Sequence, residues 1–155
     1  MGKINYARVF LGGIAAGSVA VMVQYAAFFL GAYAKLGEAA GLPLGDPSSA
    51  AQLSVAALEI LVGGPLAIWL YAAIRPRFGA GPRTALLTSV YIWLVIGPYG
   101  LTILAVSGLL VKFPSAVAAL LIISTLPFVV GPMLIGAAIY QEEAAPSAAA
   151  KAAGA

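Results

Sequence analysis

Cysteine and histidine are both absent from the 155 residues. Without Cys the chain forms no disulfide and carries no thiol nucleophile, and its redox compartment cannot be read. Without His it lacks the commonest general base, the commonest metal ligand and the usual axial ligand to haem. Charge is nearly as scarce. Only 8% of the residues are charged, where soluble domains carry about 25%. A fold this poor in charge cannot cover a water-facing surface with polar groups. With 63% of its residues hydrophobic, its natural solvent is a bilayer.

The basic residues are Lys3, Arg8, Lys35, Arg75, Arg77, Arg83, Lys112 and Lys151, and the acids are Glu38, Asp46, Glu59, Glu142 and Glu143. Nearly all lie between or beyond the apolar runs, so the net charge of +3 reflects topology. Nucleic-acid binding would need a basic stripe with interleaved aromatics, and none is present.

A spanning helix needs about 20 mostly apolar residues at roughly 1.5 Å each. Four stretches meet this length: Val9 to Ala34, Leu53 to Ile74, Leu86 to Val111, and Ala116 to Tyr140. Inside them only Gln24 and Glu59 are strongly polar. The pattern predicts an all-α integral membrane four-helix bundle with Pro-kinked helices. It forms one domain over residues 1–141, followed by a flexible, Ala-rich tail over residues 142–155. The first run resembles a signal peptide in its basic start and its Ala32-Tyr33-Ala34 end, but it exceeds the 7–15 residues of a signal h-region and is expected to be retained. Tyr6 occupies the Ser/Thr position of a myristoylation signal, so Met1-Gly2 is not a convincing start for one.

With the N-terminus inside, Lys3, Arg8, Arg75, Arg77, Arg83 and Lys151 are cytoplasmic, and only Lys35 and Lys112 are external. This bias predicts both termini in the cytoplasm. Asp46 or Ser48 is the expected cap of the second helix. The segment from Arg75 to Thr84, rich in Gly and Pro, reads as a cytoplasmic loop whose Arg75, Arg77 and Arg83 face lipid headgroups, with a specific lipid or partner site as the sharper alternative. The short Lys112-Phe113-Pro114-Ser115 link makes the last two helices antiparallel neighbours.

Hydrophobicity does not drive helices together in lipid, so small residues and interhelical hydrogen bonds must. Gly13, Gly17, Ala20 and Gln24 share one face of the first helix, and Ala56, Gly63 and Ala67 form a small strip on the second, beside Glu59. Ser124, Phe128 and Gly131 share a face of the fourth. Gly13, Gly17 and Gly63 are thus the expected helix-packing positions. Three Gly-Pro steps, at Pro65, Pro98 and Pro132, should free the carbonyls of Leu61, Leu94 and Phe128. They either fit kinked helices together or line a midplane cavity. Ser18, Ser54, Ser89, Ser107 and Ser124 have no base nearby in sequence and are expected to bond helix carbonyls.

Glu59 is the one acid inside a span. Charged residues at a helix centre cost about 2.5–3.5 kcal/mol on insertion scales, so a neutral acid donating a hydrogen bond to Gln24 is the expected arrangement. Glu59 is then either a polar tie between helices or a proton-titrating site.

The start Ile4-Asn5-Tyr6-Ala7-Arg8-Val9 with Gly12 and Gly13, and the segment Ile68 to Ala85 with Arg75-Pro76-Arg77-Phe78-Gly79 and Gly81-Pro82-Arg83-Thr84-Ala85, resemble uncharacterised small bacterial four-span membrane proteins. The resemblance implies a bacterial inner-membrane location and carries over no activity, substrate or catalytic residue. Small multidrug transporters also use four helices and a membrane Glu. Theirs lies in the first helix with a weak orientation bias, and that family does not fit. No catalytic, metal or cofactor motif is present, which points to a non-enzymatic protein with no cofactor. The first reading is a structural or accessory subunit whose partners are lipid and other membrane subunits or its own copies. The alternative is a small transporter or channel using Glu59.

Overall fold

The computed structural model describes residues 3–31, 48–99, 123 and 125–140, and every regular element among them is a helix. Helix α1 spans Tyr6–Phe29. Its N-terminus is capped by Asn5, whose side-chain oxygen accepts the Arg8 N–H at 3.0 Å. Gly31, at φ 73°, turns the chain out of it.

Helix α2 spans Ala50–Phe78 and is interrupted by a π-turn at Glu59–Gly63. Its cap is Ser49, whose hydroxyl accepts the Gln52 N–H at 3.3 Å. The cap therefore falls one residue beyond Ser48, and Asp46 lies outside the described residues. Helix α3 spans Pro82–Leu94 and runs into a second π-turn at Val95–Tyr99, and α4 spans Leu126–Ile139. The expected link at Lys112–Ser115 and the tail from residue 142 lie outside the described residues.

The loop expected from Arg75 to Thr84 is mostly helix. Helix α2 passes through Pro76 and continues to Phe78, because Gly79 at φ 86° supplies a left-handed cap and donates its N–H to the Arg75 carbonyl at 2.8 Å. Pro82 then opens α3, where its missing N–H costs nothing. The connection shrinks to Gly79, Ala80 and Gly81, so α2 and α3 are antiparallel neighbours.

The remaining directions follow from contacts. Gly13 meets Pro65, Gly17 meets Ile60 and Gln24 meets Glu59, so α1 and α2 are antiparallel. The Trp93 Nε1–H donates to Thr125 Oγ1 at 3.1 Å, while Ala85 and Leu134 line one cleft, so α3 and α4 are antiparallel too. The start of α1, the α2–α3 turn and the end of α4 gather at one end. Tyr71 and Tyr140 pack edge-to-face there at 6.0 Å, and the Arg75 guanidinium lies 5.5 Å from the centre of the Tyr140 ring. The Tyr71 hydroxyl accepts the Gly81 N–H at 3.2 Å, and Thr84 donates its hydroxyl to the Gly79 carbonyl at 2.7 Å.

The interior is made of small and hydroxylated residues. Ala16, Ala72, Ala85, Thr84, Thr88 and Ser89 are buried, with Ile68 and Met133 as the large side chains most completely enclosed. Thr88 and Ser89 satisfy their hydroxyls on the carbonyls of Thr84 and Ala85, each at 2.8 Å. Large apolar side chains lie outside: Met22 is 70% exposed, Phe29 76% and Leu30 84%. Helices α1 and α2, of 24 and 29 residues, are long and apolar enough to cross a membrane. Only 11% of the apolar stretch of α2 is buried, whereas the core helix of a soluble protein is mostly enclosed.

Glycine makes the crossings. A Cβ on Gly13 would run into the backbone of Pro65, and one on Gly64 into the Gly13 carbonyl. A Cβ on Gly17 would sit 2.7 Å from Ile60 Cα, and one on Gly12 would sit 2.7 Å from the Gly136 carbonyl of α4. Gly63, by contrast, is exposed. An uninterrupted 3.6-residue period places Gly63 on the packing face. The wider π-turn shifts that face by one residue, to Gly64. Gly131 has nothing within 4 Å of a would-be Cβ, and Ser124 lies outside the described residues.

These contacts predict a graded response to added methyl groups. Gly13→Ala should destabilise the folded chain in detergent by about 1–3 kcal/mol, the usual cost of overpacking. Gly63→Ala and Gly131→Ala should stay within about 0.5 kcal/mol. Equal losses at all three in a denaturant titration would refute backbone-to-backbone contact at Gly13.

Candidate intramembrane acid site

Glu59 opens the first π-turn. Its carbonyl accepts the N–H of Gly64, five residues on. Pro65, the next residue, has no N–H to offer, so the ladder changes register just before it and α2 resumes with Pro65 in its first turn. The sequence pattern assigns the freed carbonyl to Leu61 in a regular helix; instead the turn itself widens. The second Gly-Pro step behaves similarly, with Pro98 inside the π-turn Val95–Tyr99. The third does not: α4 runs through Pro132 as an α-helix. Such single π-turns recur at functional sites.

Gln24, three turns beyond Gly13 on the same face of α1, reaches this turn. Its amide nitrogen donates to both carboxyl oxygens of Glu59, at 2.7 Å to Oε1 and 2.9 Å to Oε2. The expected partners meet, but the direction is reversed: the carboxyl accepts. The two side chains have complementary capacities. A carboxylate takes N–H bonds, while a protonated acid donates to an amide oxygen presented by turning the Gln24 amide over. The pair therefore keeps a hydrogen bond in either protonation state. Among the described residues Glu59 is the sole acid, while Lys3, Arg8, Arg75, Arg77 and Arg83 all lie toward the clamped end of the bundle.

Beside the pair lies a cavity of about 110 Å³. All four helices line it: α1 through Ala16 and Ala20, α2 through Glu59, α3 through Ile92, and α4 through Phe128 and Pro132. Its walls are apolar apart from the Glu59 carboxyl. Gly63, on the rim rather than at the crossing, also borders it, and Gly17 forms part of the floor.

The other sequence-derived positions are dispersed. Pro65 is half-buried against α1, and Pro132 is buried beside the cavity. Arg77 and Arg83 are exposed. Arg75 is not free to face lipid in the same way, because it is half-buried over Tyr140. Ser54 donates to the Ala50 carbonyl at 2.7 Å, as expected of a helical serine. Sequence reasoning missed the Gly12–Gly136 crossing, the Trp93–Thr125 bond and the Tyr71–Arg75–Tyr140 clamp. Gly64 had a visible signal in its Gly-Pro step; the others join residues far apart in sequence and carry none.

A double-mutant cycle tests the pair. Gln24→Leu and Glu59→Leu should show a coupling of about 0.6–1.7 kcal/mol, between the mean and the largest value measured for interhelical hydrogen bonds in a membrane bundle. Glu59→Gln should leave assembly intact, because an amide in place of the acid still pairs with Gln24. Additive losses in the leucine cycle would mean that the contact contributes nothing.

Comparison with known proteins adds no relative: no family model, no curated protein and no solved structure matches the chain.

Proposed function

We propose that this chain is a four-span protein of the bacterial inner membrane, with both termini cytoplasmic, in which Glu59 titrates in the course of transport or conduction. One observation carries the reading: the single described acid lines a cavity shared by all four helices while holding a hydrogen bond across α1 and α2. A polar tie accounts for the hydrogen bond. The titrating reading adds a role for the carboxyl's place on the wall of that cavity. An ionisable group within a membrane helix is a functional-site hypothesis by default.

The membrane assignment is supported by the inside-out distribution of side chains among the described residues, with Ala, Thr84, Thr88 and Ser89 within and Met22, Phe29 and many Leu without. The orientation is supported by the collection of Lys3, Arg8, Arg75, Arg77 and Arg83 at one end of the bundle. The resemblance to small bacterial four-span proteins agrees with this location.

A second reading, a non-enzymatic structural or accessory subunit, is favoured by a different feature. Phe10, Leu61, Leu66 and Trp69 line an outward groove of about 410 Å³ between α1 and α2, wide enough to seat side chains of a neighbouring helix. Native mass spectrometry after gentle extraction separates the readings. A fixed complex with other subunits supports the accessory role.

Two measurements test the first reading. The chain has no Cys, so single cysteines are easily placed. Ala80→Cys should react with a membrane-impermeant maleimide from the cytoplasmic side alone, and Ser48→Cys from the outside alone; the opposite pattern refutes the orientation. In proteoliposomes holding a pH-sensitive dye, the wild-type chain should raise proton flux several-fold, and Glu59→Gln should abolish the increase with its oligomeric state unchanged. Undiminished flux in that variant would remove the titrating role.

A further inference from the structure

The outer seam between α1 and α2 joins an apolar groove to a cation. The groove runs from Tyr6 and Trp69 to Leu61, with Val9 and Pro65 at its base and Phe10 and Leu66 along its sides. Val9 is buried, whereas Tyr6, Phe10, Leu61, Leu66 and Trp69 are exposed. Along α2 it covers the eight steps from Leu61 to Trp69, about 12 Å at the helical rise. Half of a hydrocarbon core is about 15 Å, so the groove follows most of one leaflet. That is the reach of one acyl chain, whereas a helix crossing the whole bilayer would run on past it.

Beyond Trp69 the same face of α2 leads to an arginine. Leu66, Trp69, Ala73 and Arg77 follow at i, i+3, i+7 and i+11 within the α-helical stretch Gly64–Phe78, and all four are exposed. The bundle-facing side carries Ile68, Tyr71 and Ala72, and Arg75 goes with it, over Tyr140. Arg77 therefore continues the groove and Arg75 does not. Ala73, between Trp69 and Arg77, is too short to close the path. Lys3, also exposed, precedes Tyr6 by three residues at the same end, and among the described residues no acid stands there. A guanidinium meets two phosphate oxygens with two parallel N–H bonds. Tryptophan suits the band between chains and headgroups. An ethanolamine ammonium would meet Arg77 and Lys3 as a like charge, and an uncharged glycerol headgroup would not.

We propose that this groove holds one anionic phospholipid, of phosphatidylglycerol type, with an acyl chain along Phe10, Leu66 and Trp69 and its phosphate on Arg77 and Lys3. The site rests on the membrane assignment and is independent of the titrating role of Glu59. The lipid takes the place of the neighbouring helix that the accessory reading would seat in the same groove.

The chain has two tryptophans, so Trp93→Phe leaves Trp69 as the sole reporter. This full-length variant is placed in vesicles of equal parts phosphatidylglycerol and phosphatidylethanolamine. Bromine, a fluorescence quencher, is carried on the acyl chains of one lipid and then of the other. Brominated phosphatidylglycerol should quench Trp69 several-fold more strongly. Added to this background, Arg77→Gln should cut the preference about fivefold, the effect of one basic residue near a membrane surface. Ala73→Leu should reduce it by obstruction with the charge unchanged, and Arg83→Gln, exposed at the start of α3, should leave it as it was. Equal quenching by the two brominated lipids overturns the inference. So does an equal loss in Arg77→Gln and Arg83→Gln, the mark of unspecific surface charge. Quenching by neither lipid would mean that a second copy of the chain covers Trp69, and overturns it too. A chain that is extracted without detergent removes the membrane assignment itself, and the lipid site with it.

Discussion

Two backbones touch where α1 crosses α2, and the rest of the molecule is arranged around that contact. Gly13 abuts Pro65 and Gly64, and Gly17 abuts Ile60, with no side chain between the main chains. In lipid there is no gain from hiding apolar surface, so close packing and polar contacts must hold helices together. The first is available here because one partner in each contact lacks a Cβ. Gly12 repeats the device against Gly136 on α4, which makes α1 the helix against which two others are set.

The same Gly64-Pro65 step that permits the crossing also places the acid. Proline withholds a donor, the turn before it widens, and Glu59 stands at the first residue of that turn. Three turns along α1 from Gly13, Gln24 comes level with it. Packing, register and the polar pair are therefore one arrangement. A cavity persists beside it because the wall residues from α1 and α2 there, Glu59 apart, are glycine and alanine, too short to fill the space between four helices.

Much of this was legible in the sequence. Long apolar runs announce helices because an unpaired amide in hydrocarbon is prohibitive, and α1 and α2 appear where such runs occur. The Gln24–Glu59 meeting was readable because few polar residues interrupt the apolar stretches, leaving little choice of partner. Gly63 was misplaced for a definite reason: helical periodicity was counted straight through a turn that holds an extra residue. The connection between α2 and α3 was read as longer than it is, because Arg75-Pro76-Arg77 looks like a turn. Pro76 is tolerated close to a helix end where Gly79 closes the chain. The Tyr71–Arg75–Tyr140 clamp joins residues nearly seventy positions apart, and no local pattern foretells it.

A π-turn is an α-helix with one surplus residue, and that gives α2 a kind of reading frame. Deleting any single residue between Glu59 and Gly63 would remove the surplus residue and return the turn to the α-helical count. It would also rotate one half of the helix against the other by about 100°, the angle of one residue at 3.6 per turn. If the half with Gly64 stayed seated on Gly13, the half with Glu59 would swing away from Gln24 and the carboxyl would leave the cavity. A substitution in this stretch changes one side chain, whereas a deletion there would rearrange the whole upstream half of the helix. The number of residues across these five positions is thus a constraint of its own, apart from what any one side chain contributes.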